Sequence, residues 1–265
     1  MLNGRTLSSI HQKITMPSVL APDVRLSAPS STTAVAAPST TGAVMLRPSE
    51  APSSPLDFMA QSTPQLRAAV AKLAESMPAA EFAGVVGSIR SAFIKYSARL
   101  LETTPGAERG RALHRMIERE MGVAGMFPTS CSKGCSGCCH YEVEVTRDEA
   151  AVLKERVEAG FAIDRARLAV QAARERRSAE WRRFGSADNR CVFLGAEGAC
   201  GIYEDRPSIC RKHMVTTPAA ACTTDGAAVA PVQVLLAEIA LSAGLSLDGV
   251  EFGSLAKMLS RELAA

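Results

Sequence analysis

The chain has 265 residues, of which 47 % are hydrophobic and 22 % charged, and its 30 Lys+Arg against 27 Asp+Glu give a net charge of +3. That near-balance excludes a strongly basic protein that coats nucleic acid and an acidic tail protein, and the lack of an uninterrupted apolar run of about 18 residues gives no expectation of a transmembrane helix. Aromatic residues make up only 5 %, with a single Trp, which leaves little material for a surface that stacks bases, and no nucleic-acid partner is expected.

Ser, Thr, Pro and Ala account for 25 of the first 50 residues, and the isolated apolar positions Val35, Val44 and Leu46 follow no sustained period. A segment of this kind cannot bury enough surface to offset its ordering entropy, so residues 1–55 are expected to be a disordered extension. A Ser-rich, acid-poor start is also compatible with an address: an organellar transit peptide, or something similar to the unfolded N-terminal export signals of bacterial secreted effectors. It lacks the continuous apolar stretch of a general secretory signal, and the expected location is cytoplasmic, with a secreted effector as the alternative.

Residues 56–125 read as a helical segment. Leu66, Val70 and Leu73 predict a helix over 64–77 behind Pro64, and Phe82, Val85, Val86, Ile89, Phe93, Tyr96 and Leu100 form one apolar stripe that predicts a helix over 79–101. Thr104-Pro105 reads as the cap and first turn of a third helix, which presents Leu113, Met116, Ile117 and Met121 and ends at Gly122 and Gly125. His114, flanked by Arg111, Arg115 and Glu118, reads as a surface residue.

Residues 126–222 form the cysteine-rich part. Cys131 to His140 is a Gly- and Ser-containing loop, and Tyr141 to Thr146 alternates like a short strand. Thr146 and Glu149 have the spacing of a capping box ahead of a helix over 147–159. A second helix, rich in Arg, is expected over 164–183. Residues 191–194 and 199–203 flank Gly195-Ala196-Glu197-Gly198 and read as a hairpin, after which Asp205-Arg206-Pro207 starts a short helix carrying Cys210. C-terminal helices are expected near 232–243 and 253–263, within a segment 223–265.

The cysteines decide the chemistry. Eight are present, all between positions 131 and 222. An even number is compatible with four disulfides. However, a folded part of this size can bury a core without staples, and clustered thiols in a reducing compartment read better as metal ligands. Thiolates are the soft donors that zinc and iron–sulfur clusters select, and four must converge on one ion. The chain offers two halves of such a site, C-x3-C-x2-C-C over 131–139 and C-x8-C-x9-C over 191–210. Gly134 and Gly137 suit the left-handed or close-packed backbone of a chelating loop. Cys210 falls in a first helical turn, where the helix dipole favours a thiolate. Adjacent side chains of an extended backbone point apart, so Cys138 and Cys139 either serve different ions, sit on a sharp turn, or include one spare thiol. The C-x3-C-x2-C spacing also occurs in radical enzymes that use S-adenosylmethionine, but the residues after Cys139 show no repeated βα units.

The run Cys-Ser-Lys-Gly-Cys-Ser-Gly-Cys-Cys (131–139), Thr146 with Glu149, Cys191-Val-Phe-Leu, and Cys200-Gly-Ile-Tyr-Glu-Asp-Arg-Pro-Ser-Ile-Cys-Arg (200–211) together resemble the YkgJ-type cysteine-cluster family, a zinc- or iron-chelating domain. The resemblance covers about 85 residues. It implies Cys131, Cys135, Cys138, Cys139, Cys191, Cys200 and Cys210 as metal ligands, aligns Tyr203, Arg206 and Pro207 with positions of the family pattern, and leaves Cys222 outside it. The flagellin lysine-N-methylase of some bacteria looks like a longer relative with the same motif. Here no strand leads into a glycine-rich nucleotide loop, since Gly84-Val-Val-Gly87 lies in a helical stripe and Gly195 to Gly201 belongs to the hairpin, so methyl transfer rests on analogy alone.

His140 and His213 stand beside the cysteines as further candidate ligands or proton carriers. Tyr203 reads as hairpin core. Arg206 is placed to bond carbonyls or a carboxylate and to offset thiolate charge. The expected fold is therefore α+β and helix-dominated, with a small hairpin and a cysteine-rich metal core flanked by helices. The expected function is chelation of zinc or iron, including an iron–sulfur cluster, with an iron–sulfur enzyme related to protein lysine methylases and a secreted effector as alternatives. No catalytic residue is assigned. Among single Ser substitutions, Cys135, Cys138, Cys200 and Cys210 are expected to cost the most metal and Cys222 the least.

Overall fold

The computed structural model describes Phe58 and residues 62–132, 134–182, 187–224, 227–247 and 249–265, which fall within one compact unit beginning at Phe58. The expected N-terminal extension lies outside the described residues. The architecture is the helix-dominated α+β fold that the sequence predicts, with helices α1 (Pro64–Ser76), α2 (Ala79–Leu101), α3 (Ala107–Met121), α4 (Arg147–Glu158), α5 (Arg165–Ala173), α6 (Ser208–Lys212), α7 (Leu235–Leu245) and α8 (Leu255–Ala264), and strands β1 (Glu144–Thr146) and β2 (Phe252–Ser254). No helix among the described residues is long and apolar enough to cross a membrane.

The helical layer is organised around α7. This helix buries residues on all sides, Leu235, Ile239, Ala240, Leu241 and Ala243 among them, and packs against α1, α2, α3 and α6. An all-round apolar helix of this kind belongs in the centre of a bundle rather than at its surface. Its one buried carboxylate, Glu238, is satisfied from two sides: Lys212 donates to Oε1 and the Thr63 hydroxyl donates to Oε2 at 3.1 Å. Thr63 is also the N-cap of α1, accepting from the Leu66 amide at 3.1 Å, so one residue starts α1 and fastens it to α7.

Helix α3 begins later than the Thr104-Pro105 signal suggests. Gly106, at φ +100°, precedes it, and the Gly106 amide is taken by Asp148 Oδ1 at 2.7 Å, which also receives Arg109. A carboxylate from α4 thus replaces the local hydroxyl cap. The end is where the glycines place it: the α-helix stops at Met121 with Gly122 as its C-cap, and a 3-10 turn over Gly122–Met126 follows. Helices α3 and α4 approach so closely at Gly110 that a Cβ there would meet the Asp148 carbonyl oxygen at 2.5 Å and Val152 Cγ2 at 2.9 Å. Gly110→Ala is therefore expected to destabilise the protein by about 1–3 kcal/mol, because backbone rather than a mobile side chain must give way. A urea midpoint equal to that of the wild type would show that the two helices are not packed this tightly.

The described sheet is a two-stranded antiparallel pair in which Val145 stands opposite Gly253. The strand read over 141–146 is confined to Glu144–Thr146, and its partner comes from the start of the predicted 253–263 helix. Ser254 ends β2 and caps α8 through a hydrogen bond from the Lys257 amide. The predicted capping box is present, with Thr146 accepting from Glu149 and Glu149 Oε2 accepting from the Thr146 amide at 3.0 Å. Under the sheet, Val145, Leu153, Leu168, Phe193, Ile202, Met258 and Leu259 form one apolar cluster to which α4, α5 and α8 all contribute.

Two further predicted elements are shorter than expected. The helix read over 164–183 ends at Ala173. Beyond it, Arg177 adopts φ 60°, the Arg174 guanidinium lies 4.9 Å from the Trp181 ring, and Gln171 and the buried Asn189 bond backbone groups of the following loop, so tertiary hydrogen bonds outweigh helix propensity. The hairpin over 191–203 is reduced to a single bridge, Leu194 with Cys200. The groups that would extend it bond elsewhere: the Cys191 amide donates to the Cys139 carbonyl at 2.8 Å, and Arg190 donates to the carbonyls of Leu194 and Gly195.

Candidate metal centre

The loop bearing the first four cysteines is built by its glycines, each in one of the two ways the sequence allows. Gly134 adopts φ +92°, the left-handed region. Gly137 has ordinary dihedrals but lies against the 3-10 turn Ala219–Thr223, where an added Cβ would be 2.8 Å from Cys222 Cβ. Residues Gly137–His140 form a 3-10 turn, so Cys138 and Cys139 sit on a sharp bend rather than an extended backbone. The loop is fixed to the rest of the site at three points. Cys191 donates its amide to Cys139, the Val215 amide donates to Cys131 Sγ at 3.4 Å, and the Tyr141 hydroxyl donates to the Cys222 carbonyl at 3.2 Å.

All eight cysteines are free thiols and all eight line one cavity of about 630 Å³. The seven sequence-predicted ligands, Cys131, Cys135, Cys138, Cys139, Cys191, Cys200 and Cys210, are thus brought to a common space. So is Cys222, which the sequence reading set aside. The backbone contact of Gly137 on Cys222 carries it there, and the sequence signal available for it was only that the cysteine count is even. His213 also lines the cavity, whereas His140 does not; its Nδ1 lies 3.3 Å from the Ser136 carbonyl oxygen.

Burial dominates the electrostatics of these sulfurs. It pushes the Cys191 thiol up to about 11 and raises Cys200, Cys222 and, most of all, Cys210. At Cys210 burial outweighs what the dipole of the five-residue helix contributes toward the thiolate. Cys138 and Cys139 behave as a pair: the hydrogen bond between them lowers Cys138 and raises Cys139. The Arg206 charge favours the thiolate at both Cys138 and Cys200. Burial lowers His213, with the Lys212 charge adding to it, so its imidazole is held neutral and able to accept a proton or a metal.

Arg206 lies 4.1 Å over the Tyr203 ring, while its neighbour Arg211 binds the turn, donating from Nε to the Arg206 carbonyl at 2.8 Å and from a second nitrogen to the Glu204 carbonyl. Tyr203 is 37 % exposed and forms the platform for Arg206 rather than part of a hairpin core. His114 is likewise not at the surface. It is 3 % exposed and its Nε2 lies 3.2 Å from Glu149 Oε1, which also accepts from the Ser208 amide at 2.7 Å. Glu149 thereby ties α3, the β1 end and the start of the Cys210 helix together. Burial opposes its ionisation, but the His114 contact and the amides of Thr146 and Ser208 outweigh this and hold the carboxyl below its ordinary value.

The donor set suits a soft metal: eight sulfurs and one imidazole around one cavity. Among the described residues no three His, Cys, Asp or Glu side chains stand close enough to one another to hold an ion. The thiols share a space rather than a point, so binding requires them to close inward and to lose protons.

A shared cavity walled by every cysteine of the chain defines a cysteine-cluster domain. Residues 130–227 match the sequence model of the CxxCxxCC family, whose description reads "Putative zinc- or iron-chelating domain". Neither the curated proteins nor the solved structures contain a match to the chain.

Proposed function

We propose that the chain binds zinc or iron, the latter also as an iron–sulfur cluster, through the thiolates of Cys131, Cys135, Cys138, Cys139, Cys191, Cys200, Cys210 and Cys222. The observation that carries this reading is that all eight sulfurs line one cavity. Cys138 is the pivot. A thiolate at Cys138 raises Cys139, Cys191, Cys200, Cys210 and Cys222 by repulsion, and Cys131 and Cys135 act on Cys222 in the same way. Arg206 offsets part of the negative charge that converging thiolates accumulate. A bound zinc would supply a rigid structural centre, and an iron–sulfur cluster would supply electron transfer.

The test is anaerobic purification of the full chain followed by metal analysis and an absorption spectrum. Stoichiometric zinc with no visible absorption supports a structural ion, and visible charge-transfer bands support a cluster. Because Cys222 lines the cavity, Cys222→Ser is expected to lower bound metal as much as Cys210→Ser, which replaces the ranking drawn from the sequence. Metal retained in full by Cys222→Ser but lost by Cys210→Ser would return Cys222 to the status of a bystander.

The cavity volume also supports a second reading, in which the centre serves an enzyme that admits a small substrate. Pockets of about 300–1,000 Å³ hold drug-sized molecules, whereas an ion with closed thiolate ligation needs no such space.

A further inference from the structure

A tetrahedral zinc takes four thiolates, and an iron–sulfur cluster is likewise held by four. Eight sulfurs around one cavity are therefore twice what a single centre uses. The contacts of the site sort them into two groups. The Cys135 amide donates to the Ser132 carbonyl at 3.0 Å and Gly134 adopts φ +92°, which makes a tight turn between Cys131 and Cys135. The sulfur of Cys131 accepts from the Val215 amide at 3.4 Å. Gly137, which directly precedes Cys138, lies against Cys222, and the Tyr141 hydroxyl donates to the Cys222 carbonyl. These contacts gather three loop cysteines with the turn that carries Cys222. Cys139 is tied elsewhere, its carbonyl receiving the Cys191 amide at 2.8 Å. The segment that starts at Cys191 is bridged to Cys200 through Leu194. From Cys200 the chain passes through one 3-10 turn, Tyr203–Asp205, into the helix that carries Cys210.

Repulsion between thiolates falls with distance, and it follows the same division. Cys131, Cys135 and Cys138 act on Cys222, whereas Cys191, Cys138 and Cys200 act on Cys210. Cys138 acts on both groups and so stands at their boundary. Arg206 favours the thiolate at one cysteine of each group, Cys138 and Cys200.

We propose that the cavity closes on two metal centres rather than one, the first held by Cys131, Cys135, Cys138 and Cys222 and the second by Cys139, Cys191, Cys200 and Cys210. The vicinal pair is then divided between neighbouring centres, and no thiol is left spare. Cys138 goes to the first set because Gly137 seats it against Cys222, and Cys139 to the second because its own carbonyl holds Cys191. The inference rests on the thiolate reading above and adds the number of centres and the membership of each.

The test uses the full chain, stripped of its metal and refilled anaerobically with cadmium alone, a soft ion suited to thiolate donors. Native mass spectrometry counts the ions per chain, and cadmium magnetic resonance tells the centres apart. Wild type is expected to hold two ions and to give two resonances. Cys222→Ser and Cys135→Ser are each expected to leave one ion and the same single resonance. Cys210→Ser and Cys191→Ser are each expected to leave one ion and the other resonance. The double variant Cys222→Ser/Cys210→Ser is expected to hold none. Helical circular dichroism is recorded for every sample, and each set has two variants, so a misfolded one does not decide the matter. One ion per folded wild-type chain overturns the proposal. So does a folded single variant that loses both ions, or loss of the same resonance from both sets. Wild type that takes up no cadmium overturns the thiolate reading itself.

Discussion

Stripping the metal from the purified chain is expected to lower its melting temperature by about 10 °C or more. Eight unligated thiols around a cavity provide few of the contacts that would hold the 131–140 loop, the 199–210 segment and the Ala219–Thr223 turn together. Structural zinc contributes on the order of 10 kcal/mol where it is coupled to folding, and for a protein of this size each kcal/mol moves the midpoint by about 2–4 °C. Even partial coupling gives the stated shift. The loss should be uneven: α1, α2 and α3 pack around the apolar α7 with a core of their own, including Leu66, Ile89, Leu100, Ile117 and Leu241. Helical circular dichroism should therefore fall in two steps in the stripped protein. A melting curve unchanged after verified metal removal would sink the view that the centre is structural.

Replacing Glu149 should be nearly as damaging. Its two oxygens serve His114, the Ser208 amide, and the Thr146 amide and hydroxyl, and the residue is 1 % exposed. Glu149→Ala strands all of these partners in the interior, and a loss of about 3–5 kcal/mol follows from breaking a buried charged network on one side only. The pH dependence has a definite sign. The folded-state pKa of Glu149 lies below the ordinary value of 4.5, so its contribution is complete above that pH and disappears as the pH falls through the lowered value. In denaturant titrations the wild type should lose stability on acidification below pH 4.5, and Glu149→Gln should lack that part of the decline. Identical acid limbs in the two proteins would mean that the carboxylate is not the charge that matters.

The sequence announced what depends on local rules. The apolar stripe from Phe82 to Leu100 yields α2, and Thr146 with Glu149 yields the capping box, because both signals are complete within a few residues. The seven motif cysteines stand out by their spacing, and the structure brings them to one cavity. What escaped was decided by partners far away in the chain. His114 sits in a run of charges and looks exposed, yet a carboxylate 35 positions later claims it. Cys222 has no glycine turn of its own, and the turn that accepts it is at Gly137. The hairpin is cut to one bridge, with the Gly195 amide on the Ala199 carbonyl and the Gly201 amide on the Phe193 carbonyl, because Arg190 and the Cys139 carbonyl took groups that a longer ladder needs. Tyr203, spaced like a core residue, instead supports a cation.

The pairing of Glu144–Thr146 with Phe252–Ser254 has a consequence for the order of events during synthesis. Every cysteine has been translated by position 222, but the strand that anchors the loop region on its far side follows some thirty residues later. The intervening stretch is long, and contacts between distant segments form late because a large loop must first be closed. The thiols that leave the ribosome first therefore meet the surrounding redox and metal pools before the scaffold around them can shut. They stay open to oxidation and to stray ions until this pairing closes, and a variant that delays closure is expected to carry more oxidised cysteine at maturity.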